Sequence, residues 1–364
     1  LWGDTAPGDT RTIGPGRLVH SASHPEVMRI LGVLPDLTLA ENVDGIHRRD
    51  GDTDIYFIYN DSTRLVTQEA KFRVRGDKVP EFWYADQGRI EAAPVWRREG
   101  ELVVVPMTLI PRESRFVVFR PGRSDAHLLR ADLPGGDERR PPLAEARTID
   151  GRVRLLFSEP GQVRLTTAAG KEKTVTVKAV PSPLDLSSDW QVNFPPDRGA
   201  PASVRLDTLI SLSEHPCDSV RYFAGTADYR HTFTLPAGWE ASSRRIVLDL
   251  GTVRNLAEVK VNGRKVALLW KTPYSLDLTE ALQPGENTLE IAVTTLWVNR
   301  LIGDARNTAP VAQTEGWPDW VLSDQTHSEA GHYSYSPWKG WSAEEPLQPS
   351  GLIGPVLLRC LEVR

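Results

Sequence analysis

Between residues 44 and 180 the chain is divided by clusters of turn formers into short runs of β-branched and aromatic residues. The runs fall at 54–60, 69–74, 102–107, 115–120, 152–157, 162–167 and 174–180. Several alternate apolar with polar positions, as Val153, Leu155 and Phe157 do, and a period of two marks strands buried on one face. Such spacing predicts an antiparallel sandwich. Residues 121–142, with Pro-Gly, Pro-Gly-Gly and Pro-Pro, read as a loop, and Pro181-Ser182-Pro183 marks a domain boundary.

The pattern sharpens after residue 184. Tyr229, His231, Phe233 and Leu235 share one strand face, and Ile246, Leu248 and Leu250 share another. Ala257, Val259 and Val261 run into Asn262-Gly263, the strongest short hairpin signal, and Leu289, Ile291 and Val293 follow Pro284-Gly285. This predicts a second sandwich of jelly-roll type. The beginning differs: residues 16–20 read as a strand, Ser23-His24-Pro25-Glu26 as a capping box, and 26–31 as a helix ended by Gly32 and Pro35. The predicted fold class is therefore all-β. Two antiparallel β-sandwich domains of jelly-roll-like type, at 44–180 and 181–364, follow a short βα remnant (1–43) of an upstream α/β domain.

Composition narrows the functional classes. The 43 Lys and Arg against 48 Asp and Glu give a net charge of −5, which offers no reason to expect nucleic acid or an anionic membrane as partner. Cys217 and Cys360 can form at most one bridge, and neither has zinc-site spacing. The 364 residues start at Leu1 and include 11 Trp but only 2 Met, which reads as a processed or excised piece. The first 30 residues hold no basic start followed by an apolar stretch, which leaves the compartment open.

Specific text lies within the strands. Residues 222–230 (YFAGTADYR), Leu248-Asp249-Leu250-Gly251, Val259-Lys260-Val261-Asn262-Gly263, 274–279 (YSLDLT) and 284–289 (PGENTL) resemble, in order and spacing, the sugar-binding jelly-roll domain of family 2 glycoside hydrolases. Adding residues 45–49 (GIHRR), 54–57 (DIYF), 72–74 (FRV), 80–83 (PEFW), 294–304 (TTLWVNRLIGD) and 349–356 (PSGLIGPV) extends the resemblance over nearly the whole chain. It looks like the C-terminal half of family 106 glycoside hydrolases, the α-L-rhamnosidases. The resemblance implies a secreted or periplasmic parent enzyme that removes terminal α-L-rhamnose, with inversion, from plant polysaccharides or glycosides. It implies that the catalytic glutamates and associated calcium belong to a (β/α)8 barrel. Such a barrel needs about 250 residues of alternating strand and helix. The chain shows one such unit, so no catalytic carboxylate, metal site or cofactor is assigned to it. Its expected partners are a rhamnose-containing glycan and the upstream barrel.

An inverting glycosidase needs two carboxyl groups roughly 6.5–9.5 Å apart. Glu344 and Glu345 are adjacent, hence on opposite sides of an extended chain, and Glu315 and Asp319 read as solvated loop carboxylates. Asp50, Asp52 and Asp54 have the alternation of a calcium loop, but Ile55 stands where Gly is needed and Asp61 where Glu is, so Asp50-Gly51 reads as a hairpin turn. His20 and His24 precede the helix and make no zinc pair, the glycine clusters lack a P-loop's Lys-Ser/Thr, and Ser334 and Ser336 lack a nucleophile elbow. By contrast Trp317, Trp320, Tyr333, Tyr335, Trp338 and Trp341 crowd into 25 residues of loop. Their rings suit either a sugar platform or packing at one end of the sandwich. Asn299, Arg300 and Asp304, placed after a strand ending at Trp297, join Trp317, Trp320, Tyr335, Trp338 and Trp341 as sugar-contact candidates. The leading expectation is an accessory, carbohydrate-binding portion of an α-L-rhamnosidase-like enzyme. A stand-alone lectin, a docking module and a compact glycosidase are the rivals.

Overall fold

A computed structural model describes residues 9–20, 23–133, 144–240, 242–336 and 340–364. The chain is all-β, built of antiparallel sheets with a few short helices, as the alternation predicts. It divides into two compact units, Leu1–Lys178 with Arg364, and Ala179–Val363. Among the described residues no helix is long and apolar enough to cross a membrane.

The first unit opens with a hairpin, Thr10–Ile13 against Gly16–Val19, then the helix His24–Ile30. Thr10–Ile13 was not expected as a strand, because it is exposed throughout and shows no apolar face. The helix stops at Gly32, at φ +70°, where the Gly32 and Val33 amides donate back to Arg29 and Met28 and satisfy carbonyls left open by the last turn. A sandwich follows. One sheet runs Leu37–Thr38, Val66–Arg73, Leu102–Leu109, Arg97–Glu99; the other runs Val43–Asp50, Thr53–Asn60, Ser114–Pro121, Lys78–Tyr84, Arg89–Ala92. Tyr56, Ile58, Val117 and Phe119 from one face meet Phe72, Val103, Val105 and Met107 from the other. Each such large side chain contributes about 1.5–3 kcal/mol by leaving water.

Two features of this sandwich bear on sequence expectations. Asp50 pairs with Thr53, so Gly51-Asp52 is a two-residue hairpin turn, and Asp54 is turned into the protein with both oxygens engaged. Its Oδ2 lies 2.6 Å from Lys78 Nζ and its Oδ1 3.1 Å from His47 Nε2. The strand Lys78–Tyr84 escapes alternation rules because Lys78 and Pro80 occupy buried positions. Residues 121–142, expected as a loop, contain the strand Leu128–Ala131, while 134–142 lie outside the described residues. That strand pairs with Gly161–Thr167, which pairs with Glu172–Val177. A hairpin, Ala144–Ile149 with Arg152–Phe157, turns at Asp150-Gly151, both at positive φ.

The second unit carries a six-stranded sheet in the order Ser203–Thr208, Ser188–Asn193, Thr226–Leu235, Gly285–Thr294, Leu256–Val261, Arg264–Leu269. Opposite it, Leu357–Val363 pairs with Leu184–Asp185 and Arg244–Asp249, and the latter with Ser275–Asp277. The alternating residues named from sequence form the core: Tyr229, Phe233, Leu235, Ile246, Leu248, Leu250, Val259, Val261, Leu289, Ile291 and Val293 are buried around Trp190. Asn262 and Gly263, at φ +51° and +77°, make the expected two-residue turn between Val261 and Arg264. The Asn262 carboxamide locks it, its Oδ1 accepting from Thr288 N–H and its Nδ2 donating to Asn287 Oδ1, both at 2.9 Å. Thr279 Oγ1 donates to Asp277 and accepts from the Ile246 amide, tying the strand after Tyr274 into the sheet. Both cysteines are free, Cys217 exposed and Cys360 buried, and burial pushes the Cys360 thiol up to about 11.

Candidate functional site

The strand Gly285–Thr294 does not continue to Trp297. Thr295 is buried and bonded to Gly225, its amide donating to the Gly225 carbonyl at 2.9 Å, which bends the chain into a helix, Val298–Arg306. Gly303 disguises this helix in the sequence, since glycine is a poor helix former. Its absent side chain is what lets the helix lie on Tyr222: a Cβ at 303 would stand 2.5 Å from the Tyr222 Cγ.

The helix is a post to which the long following segment is tied. Asn299 accepts from the Gln348 amide and donates to the Gln348 carbonyl, both at 2.7 Å. Asp304 Oδ2 accepts from the Tyr333 amide (2.8 Å), the Ser334 amide (2.6 Å) and the Ser334 hydroxyl (2.8 Å), while Arg300 Nη1 lies 3.4 Å from its Oδ1. The Arg300 guanidinium also covers the Tyr333 ring at 4.7 Å. Arg306 donates to the carbonyls of Ala343 and Glu345. Asn299, Arg300 and Asp304, expected as sugar contacts, are thus buried, with Asn299 and Asp304 holding main chain and Arg300 set against Asp304 and Tyr333. The reason is helical geometry: positions 299, 300, 303 and 304 share the inward face. An Asp304→Asn variant is expected to raise amide exchange across 328–336 about tenfold, the loss of one charged hydrogen-bond acceptor worth ~1.4 kcal/mol. Exchange unchanged in that segment would count against the clamp.

The aromatic residues do not form one platform. Trp317, 46 % exposed, sits on a small hairpin with Gln313–Thr314, its ring 5.2 Å from Tyr335. Trp320 is half-buried in the short helix Asp319–Leu322, Tyr333 lies beneath Arg300, and Trp338 is outside the described residues. Trp341 lines a separate cleft of about 400 Å³. It is lined by Arg254 and Asn255, at and just after the end of the strand Thr252–Arg254, by Leu296, Val298 and Asn299 around the start of the helix post, and by Gln348, Pro349 and Ser350. The strand Thr252–Arg254 pairs with Gly351–Gly354, which brings residues a hundred positions apart to one place. The backbone beneath is fixed: Ser350 N–H donates to Ser211 Oγ at 3.0 Å, and Tyr274 O–H to the Asn255 carbonyl at 2.6 Å.

Of the sugar-contact candidates, the cleft therefore unites Trp341 and Asn299 only. Arg254, Asn255 and Gln348 were missed, and the one local signal was the exposed apolar pair Leu296-Trp297 directly after a strand. Among the described residues no carboxylate lines the cleft. Glu344 and Glu345 are exposed, and hydrogen bonds from its own backbone amide and Ser342 hold the Glu344 carboxyl below its usual range, the reverse of what a general acid requires. Among the described residues no group of three or more His, Cys, Asp or Glu side chains is placed to hold a metal ion.

Comparison with known proteins gives the class. Residues 1–97 match the family model described as α-L-rhamnosidase, glycosyl hydrolase family 106, and residues 207–352 match the glycosyl hydrolase 2 galactose-binding domain-like model. A solved rhamnosidase from Novosphingobium sp. PP1Y superposes on 96 % of the chain with a TM-score of 0.71 and 32 % identity, and the chain covers 27 % of that protein. A curated protein of Formosa agariphila, named a putative beta-glucuronidase, is 38 % identical over 58 % of the chain, which spans 18 % of its length. The chain is a glycoside hydrolase-related protein. Its likeness is to the rhamnosidases of family 106, with a family 2 galactose-binding-like domain in its second unit, as the strand motifs indicated.

Proposed function

We propose that the chain is the accessory, carbohydrate-holding β-sandwich portion of an α-L-rhamnosidase-like enzyme acting, in the periplasm or outside the cell, on terminal α-L-rhamnose of plant polysaccharides or glycosides. In this reading the catalytic carboxylates, and any calcium, reside in an upstream barrel, and the chain contributes sugar contacts and support. The observation that carries it is the Trp341 cleft: an aromatic face, 40 % exposed, beside polar side chains on a hydrogen-bonded backbone, with no carboxylate pair among the described lining residues. Aromatic faces stack on the C–H faces of pyranose rings, and amides and guanidinium groups bond the hydroxyls. Exposed Trp317, with half-buried Tyr335 beside it, offers a second aromatic surface for a longer glycan.

The test is calorimetry of the chain with rhamnose-containing oligosaccharides, alongside an assay on an aryl α-L-rhamnoside. Saturable binding without hydrolysis is expected. Trp341→Ala should weaken binding about tenfold, the ~1.4 kcal/mol of a well-placed aromatic contact. Robust hydrolysis abolished by one carboxylate substitution would overturn the accessory role. An unchanged affinity in Trp341→Ala would remove the cleft from it. The name of the 38 % identical relative supports a second reading, a glucuronidase parent, for which the assay on the longer protein uses an aryl β-glucuronide.

A further inference from the structure

We infer that the Trp341 cleft takes a uronate residue of its glycan, with the Arg254 guanidinium holding the sugar carboxylate. This rests on the reading of the cleft as a carbohydrate site and specifies its ligand.

Charge is the first argument. Among the described residues Arg254 is the single formally charged one lining the cleft. Several other arginines of the second unit are matched within the protein, among them Arg205 with Asp189, Arg244 with Glu362 and Arg359 with Asp249. Among the described residues no carboxylate lies within ion-pair distance of Arg254. Its side chain is exposed, and its backbone is held in the ladder against Gly351. A cation kept without a partner on a fixed strand end is ready to pair with a charge brought by the ligand.

The balance of donors and acceptors is the second. Asn299 has spent its carboxamide on Gln348 and Ser350. What remains for a ligand is the five N–H groups of Arg254, the Asn255 carboxamide, and the Gln348 carboxamide, whose Nε2 makes one long bond of 3.3 Å to Pro346 O. Such a donor-rich cleft suits an acceptor-rich anion, whereas the hydroxyls of a neutral sugar ask equally for acceptors. A planar guanidinium matches a carboxylate two bonds to two, and such charge-assisted pairs are roughly twice as strong as neutral ones. Trp341 then supplies the stacking face for the pyranose ring that carries the carboxylate.

The experiment titrates the 364-residue chain with an oligosaccharide of alternating rhamnose and uronate, with its carboxyl-reduced neutral form, and with a sulfated neutral oligosaccharide. The acidic form is expected to bind about tenfold more tightly than the reduced form, and added salt should narrow the gap. Arg254→Met should bring the two to parity by weakening the acidic form far more than the reduced one, and Arg254→Lys should restore part of the preference. Because Arg254 is exposed, these variants should keep the wild-type circular dichroism, which separates a binding defect from a folding one. Equal affinity for acidic and reduced forms, or preference for the sulfated probe, overturns the inference and leaves the carbohydrate reading standing. Absence of binding to all three probes overturns both.

Discussion

Replacing Lys78 by methionine is expected to destabilise the first unit by about 3–5 kcal/mol, the cost of leaving a buried charge without its partner. Lys78 and Asp54 are 6 % and 5 % exposed, with Nζ 2.6 Å from Oδ2. Beyond Asp54 the chain of contacts continues through the His47 imidazole to Asp36, which Arg73 engages at 3.1 Å. The His47 ring itself lies flat on Tyr56, centroids 4.1 Å apart, so the network is packed against the aromatic centre of the sandwich. With Lys78 gone, Asp54 keeps only the imidazole and, at the edge of ion-pair range (4.0 Å), the Arg49 guanidinium. Urea denaturation, with hydrogen exchange read over 53–60, measures the loss. The double variant Lys78→Met with Asp54→Leu should recover most of it, since removing both charges also removes the desolvation penalty. A single variant within about 1 kcal/mol of wild type would show that water reaches the pair.

Gly351→Ala is expected to cost the second unit about 2–5 kcal/mol, with broken geometry at the candidate cleft. Gly351 has φ +87°, a conformation in which a β-carbon alone costs about 1–2 kcal/mol. That carbon would also strike the Tyr229 hydroxyl and stand 2.8 Å from the Leu212 Cγ, both in the core, and overpacking adds about 1–3 kcal/mol. Tyr229 cannot swing away. Its hydroxyl accepts the Leu352 amide at 3.2 Å, and full burial pushes its ionisation far above the usual tyrosine range. Since Gly351 pairs with Arg254, sugar affinity should fall together with stability. A thermal midpoint unmoved in Gly351→Ala would mean that the loop 348–352 relaxes freely.

Strands whose buried positions are all apolar were legible. Tyr229, Phe233 and Leu235, or Leu289, Ile291 and Val293, announce their face because one side meets the core and the other meets water. Lys78–Tyr84 was not, since its buried lysine is matched by Asp54 on another strand, and sequence order does not reveal such partners. The helix Val298–Arg306 was hidden in the same way by Gly303, whose reason for being glycine is Tyr222, eighty residues away. Within the candidate site, the aromatic cluster was visible as composition, but its division between a Trp317–Tyr335 pair and a Trp341 cleft depends on which main-chain atoms the helix holds. Arg254, Asn255 and Gln348 are unremarkable in sequence and acquire meaning only through the pairing of Thr252–Arg254 with Gly351–Gly354.

Most of the anchors that fasten the segment after the helix post end on peptide groups: the Gln348 amide and carbonyl, the Tyr333 and Ser334 amides, the carbonyls of Ala343 and Glu345, and the Ala330 carbonyl held by Asn307. Peptide groups are common to nearly every residue type, so the course of the segment depends little on which side chains it displays. Substitutions along it can exchange one aromatic or polar group for another while the frame persists. Change at the displayed positions then needs no redesign of the sandwich, because the path of the segment is set from beneath.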